Sequence, residues 1–151
     1  MVVPMASSRE KGTAGELKLP QMALDIIGGQ PKLGDNPYVF AGRGNAHISG
    51  YSKGKSALDD KLAENHPNMA PWTIHDLRRT ARSLMSRAGV RPDIAERVLG
   101  HRIPGVKGIY DRHQYFDEKG DALAKLATLI DAIVHPKENV VSMTAGGRKK
   151  R

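Results

Sequence analysis

The sequence predicts a mainly helical α+β fold with a small sheet near its N-terminus. Three observations carry that prediction. Several stretches place apolar residues at three- and four-residue steps and then stop at glycine, as amphipathic helices do. One short stretch, Glu16-Leu17-Lys18-Leu19-Pro20, alternates polar and apolar residues with period two, as a half-buried strand does. Hydrophobic residues make up 39% of the 151 and charged residues 26%, which suits one globular domain rather than a disordered chain.

Taken in order, Val2-Val3-Pro4 reads as short and extended, a partner for the strand at 16–20 across the turn-rich stretch Arg9–Gly15. The period then changes. Met22, Ala23, Ile26 and Ile27 fall on one helical face, and Gly28-Gly29 ends that helix. Residues 30–50 are rich in Gly, Pro and Asn and read as loop, with one short extended piece at Tyr38-Val39-Phe40. Ser52–Glu64 predicts a second helix with Ala57, Leu58, Leu62 and Ala63 inward, followed by a polar linker, Asn65–Pro71, with two prolines.

The best-marked helix follows. Thr73 and Asp76 have the spacing of a capping box, and Leu77, Ala81, Leu84, Met85 and Ala88 form an apolar stripe that stops at Gly89. Arg91-Pro92-Asp93 restarts a short helix, with Pro92 suited to a first turn, and Ile94, Ala95, Val98 and Leu99 precede a stop at Gly100. Ile103–Gly108 reads as a turn region, and Ile109–Tyr115 is compatible with helix. A last helix spans about Asp117 to Val134, with Leu123, Leu126, Ile130 and Ile133 or Val134 on one side. Residues 1–135 are therefore read as the domain and 136–151 as a flexible basic tail ending in Arg148-Lys149-Lys150-Arg151.

Charge narrows the partners. The formal net charge is +8, and residues 71–115 hold eight arginines and one lysine against four acids, a net +5 in one segment. Clustered positive charge favours anionic partners, of which nucleic acid is the commonest. The chain has no cysteine, which excludes disulfides, thiolate metal ligands and thiol catalysis. The opening MVVPMASSREKG has no apolar core of a signal peptide, and no apolar run reaches the ~20 residues of a membrane span, so the expected location is the cytoplasm.

Four residues in the basic segment have side chains suited to a phosphodiester. His75 and Arg78 lie three apart on the proposed helix and so share a face. A guanidinium offers paired charged donors to phosphate oxygens, and an imidazole exchanges protons near neutral pH. His101 follows the helix-ending Leu99-Gly100, and Tyr110 follows nine residues later. A phenol with a pKa near ~10 needs positive charge or a base beside it to act as a nucleophile. Taken singly, each has an ordinary explanation: a surface pair on a basic helix, a histidine at a helix C-terminus, a core tyrosine.

The ordered set is far more specific. His75-Asp76-Leu77-Arg78-Arg79-Thr80, then Leu99-Gly100-His101, then Tyr110 closely resembles the tyrosine recombinase, or phage integrase, family. The run Tyr110-Asp111-Arg112-His113-Gln114-Tyr115-Phe116-Asp117-Glu118-Lys119 resembles the prophage and genomic-island subgroup. A weaker likeness at Tyr38-Val39-Phe40 extends the resemblance over roughly residues 1–134. It implies the catalytic-domain fold of that family and a transesterification with no metal or other cofactor. In it, Tyr110 attacks a scissile phosphate of double-stranded DNA and forms a 3′-phosphotyrosine. Arg78 holds the non-bridging oxygens, and His75 and His101 assist by hydrogen bonding or proton transfer. Lys11, just before the strand at 16–20, matches the family's lysine that protonates the leaving 5′-oxygen, with Lys18 the alternative. The family's oligomeric assembly on DNA implies a homo-oligomer.

One part of the pattern is missing. The family has a second phosphate-clamping arginine upstream in a Gly-x-Arg-x-x-Glu-like helix. The only arginines before Arg78 are Arg9 and Arg43, and neither has that context. The expectation is a chain that starts partway through a catalytic domain, with little or no activity alone. A different class is a DNA-binding module without catalysis, since residues 75–88 and 92–99 superficially resemble a helix-turn-helix. Type IB topoisomerases, which share the chemistry, are a third reading.

Overall fold

The computed structural model of the chain describes residues 2–4, 16–101 and 113–136. Its elements run β1 (Val2–Pro4), β2 (Glu16–Lys18), α1 (Gln21–Gly28), α2 (Tyr51–Asn65), α3 (Ile74–Arg87), α4 (Pro92–Val98) and α5 (Phe116–Val134). The architecture is mainly helical with one two-stranded antiparallel sheet, in which Val3 stands opposite Leu17. The early strand pair and the five described helices thus correspond to expected elements.

The termini of α3 and α4 follow from local chemistry. At the start of α3, the Thr73 backbone N–H and hydroxyl both donate to one Asp76 carboxylate oxygen at 2.8 Å. That bond satisfies the backbone group just ahead of the first turn. At its end, Gly89 adopts φ +73°, and the Val90 and Gly89 N–H groups reach the Met85 and Ser86 carbonyls at 3.0 and 3.1 Å. This is a Schellman closure, which needs a left-handed residue and so favours glycine. The same closure ends α4. Gly100 has φ +69°, and the His101 and Gly100 N–H groups reach the Glu96 and Arg97 carbonyls at 2.9 and 3.1 Å.

The core sits where α3, α4 and β2 pack on α5. Met85, Val90, Ile94, Ala95 and Ala122 are buried, with Ala88, Val98, Leu99, Tyr115 and Leu126 packed around them. Gly120 of α5 allows β2 to approach: a Cβ there would lie 3.3 Å from the Lys18 side chain. No described helix is long and apolar enough to cross a membrane.

Several inward faces expected from periodicity are not covered. Neither α1 nor α2 has a buried residue, and Ile26 and Leu58 are exposed. Leu77 is 57% exposed, because the contacts of α3 with α4 and α5 bury the face centred on Met85, eight residues further along. At about 100° per residue, Leu77 lies roughly 80° from Met85, whereas Arg78 lies within about 20° of it. Tyr38-Val39-Phe40 forms no strand. It belongs to a loop pinned by Asn36, which donates to the Gly44 and Ala46 carbonyls at 2.7 and 2.9 Å. A single bridge joins Ala41 and His47. Residues 113–115 are not helical: Tyr115, at φ +49°, caps the start of α5.

Candidate functional site

Arg78 and His101 are 23 residues apart in sequence and meet in space. Arg78 projects from α3 on nearly the azimuth of Met85, so its stem lies against the bundle and its head reaches the end of α4. Its Nε–H donates to His101 Nε2 at 3.2 Å, and its Nη2 donates to the Leu99 carbonyl. That carbonyl is one of the helix-end acceptors with no partner inside α4. The guanidinium therefore ties the two helices together.

The charge environment of Arg78 differs from that of its neighbours. Arg79 pairs with Asp76 at 2.9 Å, Arg82 with Glu96 at 2.7 Å, and Arg91 with Asp93 at 2.7 Å. No described carboxylate lies within salt-bridge distance of Arg78. Its two contacts are a ring nitrogen and a carbonyl, so its positive charge is not neutralised by any described group. A guanidinium held in this state is suited to an anion.

His101 is held from two sides. The Schellman closure bonds its backbone N–H to the Glu96 carbonyl, and its Nδ1 is hydrogen-bonded to the Glu96 carboxylate. Glu96 is in turn gripped by Arg82, which also donates to Ser86 Oγ. The Arg82 hydrogen bond, followed by that from His101, holds the Glu96 carboxyl below its usual range. His75, one turn before Arg78 on α3, is exposed, and its side chain makes no hydrogen bond to another described residue. Of the five expected site residues, Arg78 and His101 are thus in contact, and His75 lies one turn away on the same helix. Tyr110 and Lys11 lie outside the described residues.

Lys18, the alternative to Lys11, and Tyr115, a second tyrosine five residues after Tyr110, are described. Lys18, on β2, lays its stem against Gly120 of α5. Tyr115 is half-buried against the core, with the Arg97 guanidinium 4.1 Å above its ring and the His113 ring edge-on at 4.6 Å. Its ring is thus engaged in packing and in a cation–π contact.

Sequence reasoning missed Glu96, Arg82 and Lys119. Glu96 had a usable signal, since the residue three before a C-terminal cap and the residue two after it meet in any Schellman closure. Lys119 had none. It is 4% exposed, and burial, with the nearby Arg97 charge, lowers its pKa against the opposing pull of Glu16. Comparisons of the chain with family models, with curated proteins and with solved structures found no match.

Proposed function

We propose that this chain is the catalytic part of a tyrosine-type site-specific DNA recombinase, cytoplasmic and acting on double-stranded DNA as a homo-oligomer. In this reading the helical bundle is part of the tyrosine recombinase catalytic-domain fold. The observation that carries it is Arg78. It is a guanidinium with no described carboxylate partner, in contact with a histidine just past the end of another helix, inside a segment of net charge +5. A DNA-binding helix pair needs positive charge, but it does not need an arginine joined to an imidazole at one point.

In the proposed step, Tyr110 Oη forms a bond to the scissile phosphorus as the bond from phosphorus to the 5′-oxygen breaks. The phenolic proton passes to a histidine, and the leaving 5′-oxygen takes a proton from Lys11. Arg78 stabilises the charge that grows on the non-bridging oxygens, where fixed donors act most strongly. One phosphodiester replaces another of similar energy, so no nucleotide is consumed. The reverse attack by a second 5′-hydroxyl completes the exchange.

A clamp with one arginine in place of the family's two is expected to be slow. Loss of one fixed oxyanion donor costs ~10²–10³ in rate. A substrate that accumulates product is therefore the right test. A pool of nicked duplexes of random sequence loses a short fragment on cleavage and traps the covalent complex. The reading expects a detergent-resistant protein–DNA adduct, mapped by mass spectrometry to Tyr110 and absent in Tyr110→Phe, with DNA binding retained. Arg78→Lys keeps the charge but loses the fork, and adduct should form ~10²-fold more slowly or less. Binding without adduct after prolonged incubation would favour the non-catalytic module. Relaxation of supercoils without strand exchange would favour a topoisomerase.

A further inference from the structure

We infer that Glu96 is a positioning residue that fixes the tautomer of His101, with its proton on Nδ1 and its lone pair on Nε2. Its part in the reaction rests on the recombinase reading; the tautomer assignment stands on geometry alone.

Two partners demand the same tautomer independently. Arg78 Nε carries a hydrogen and cannot accept one, so the His101 Nε2 that meets it at 3.2 Å is the acceptor. The remaining ring proton of a neutral imidazole then sits on Nδ1, which faces the Glu96 carboxylate, an acceptor. Glu96 is itself oriented, because Arg82 Nε–H occupies its other oxygen at 2.7 Å. The chain of donors runs one way, from Arg82 and from His101 into Glu96, and from Arg78 into His101. Among the described residues, the charged groups bonded to His101 are Arg78 of α3 and Glu96 of α4, with Arg82 of α3 behind Glu96.

The arrangement is a consequence of the α4 terminus. A Schellman closure brings the residue after the glycine to the residue five before it, a contact that is frequently hydrophobic. Here Glu96 and His101 hold those two positions, and the pair is polar. Backbone and side chain of Glu96 therefore hold the same histidine. Orientation of a catalytic imidazole by a carboxylate on its other nitrogen is a general device, and the wrong tautomer alone costs a serine protease on the order of 10⁴ in rate. With its proton on Nδ1, His101 keeps a single lone pair on Nε2, which the Arg78 N–H occupies, so it can take the tyrosine's proton only once that contact opens.

The chemistry makes a discriminating forecast for Glu96→Gln. The amide must turn its oxygen to the Arg82 donor, which leaves its NH₂ facing His101 Nδ1. Nδ1 must then accept, so the ring proton moves to Nε2, where it opposes the Arg78 N–H. The near-isosteric variant is thus expected to invert the tautomer, whereas Glu96→Ala merely frees it. A role in packing alone would make Gln the mild substitution.

The test is nitrogen NMR on the full chain labelled with ¹⁵N-histidine, with His101 assigned by its loss in His101→Gln. Spectra are taken near pH ~8, above the ordinary histidine range. The wild type should show a protonated Nδ1 and an unprotonated Nε2. Glu96→Ala should show a mixture, and Glu96→Gln the opposite tautomer or a broken Arg78 contact, with helix content unchanged by circular dichroism. Adduct formation should slow by about 10- to 100-fold in Glu96→Ala, the scale for outer partners of a functional histidine, and by at least as much in Glu96→Gln. A wild type with its proton on Nε2 overturns the inference even if neither variant folds. So do folded variants that keep the wild-type tautomer. A wild type that forms no adduct counts against the recombinase reading, while the spectra still decide the tautomer.

Discussion

Met85→Ala tests whether the small core holds the site together. Met85 is 0% exposed and is enclosed by Val90, Ile94, Ala95 and Ala122 from the turn after α3, from α4 and from α5. Truncation removes three heavy atoms, which at ~0.8 kcal/mol per methylene-sized group forfeits about 2.4 kcal/mol of transfer energy. A void of roughly 60 Å³ that half-collapses adds under ~1 kcal/mol at ~24 cal/mol per Å³. The sum, ~3 kcal/mol, is large against the 5–15 kcal/mol of an ordinary domain. Urea unfolding followed by far-ultraviolet circular dichroism should show the midpoint fall with little change in slope, while Met85→Leu, which conserves volume, should cost less than ~1.5 kcal/mol. Because the packing of α3 on α4 sets the Arg78–His101 distance, the alanine variant should also lose adduct formation well below its melting point. Trp72 offers an internal control. It lies beside Lys55 of α2, a helix with no buried residue, so its fluorescence should change before the helical signal does. A loss below ~1 kcal/mol for Met85→Ala would refute the placement of the core.

Other outcomes follow from single contacts. Tyr115→Ala removes a half-buried ring and its cation–π partner and should cost about 2 kcal/mol, below the 3–5 of a fully buried aromatic. Tyr115→Phe should keep adduct formation, which an assignment of the nucleophile to Tyr115 forbids. The hydrogen bonds from Thr73 hold the Asp76 carboxyl below its usual range. The stability this contributes is fully present above the ordinary carboxylate value and is lost as pH falls through the lower folded one. The difference in unfolding midpoint between wild type and Asp76→Asn should therefore be constant above about pH 4.5 and shrink below about 4. A difference that grows on acidification would contradict the cap.

Some of this architecture is written locally. The Thr73–Asp76 pair starts α3, Pro92 starts α4, and Gly89 and Gly100 stop the two helices, because caps and Schellman closures involve neighbours a few residues apart. The ordered set His75, Arg78, His101 and Tyr110 is likewise visible as spacing alone. Amphipathic periodicity was less reliable. It marks the face of a helix that favours burial but not whether anything covers it. Ile26, Leu58 and Leu77 sit on expected apolar faces and remain exposed, while Met85 on the same kind of stripe is sealed by α4 and α5.

By itself, then, the sequence determined the helices, their ends, the small strand pair, the concentration of positive charge and the ordered residues that resemble a phosphotransfer set. Only the tertiary structure decided which of those residues touch. Arg78 lies almost in line with Met85, so the packing that buries Met85 also carries the guanidinium across to the end of α4, and no property of either segment alone specifies that crossing. The Glu96–His101 pair stands between the two cases. The closure at Gly100 was legible in the sequence, but the direction of its hydrogen bonds was set by Arg82 and Arg78 arriving from α3. The physical reason is range. Backbone closures act over a few residues, whereas side-chain donors and acceptors are assigned by whatever folding brings within about 3 Å.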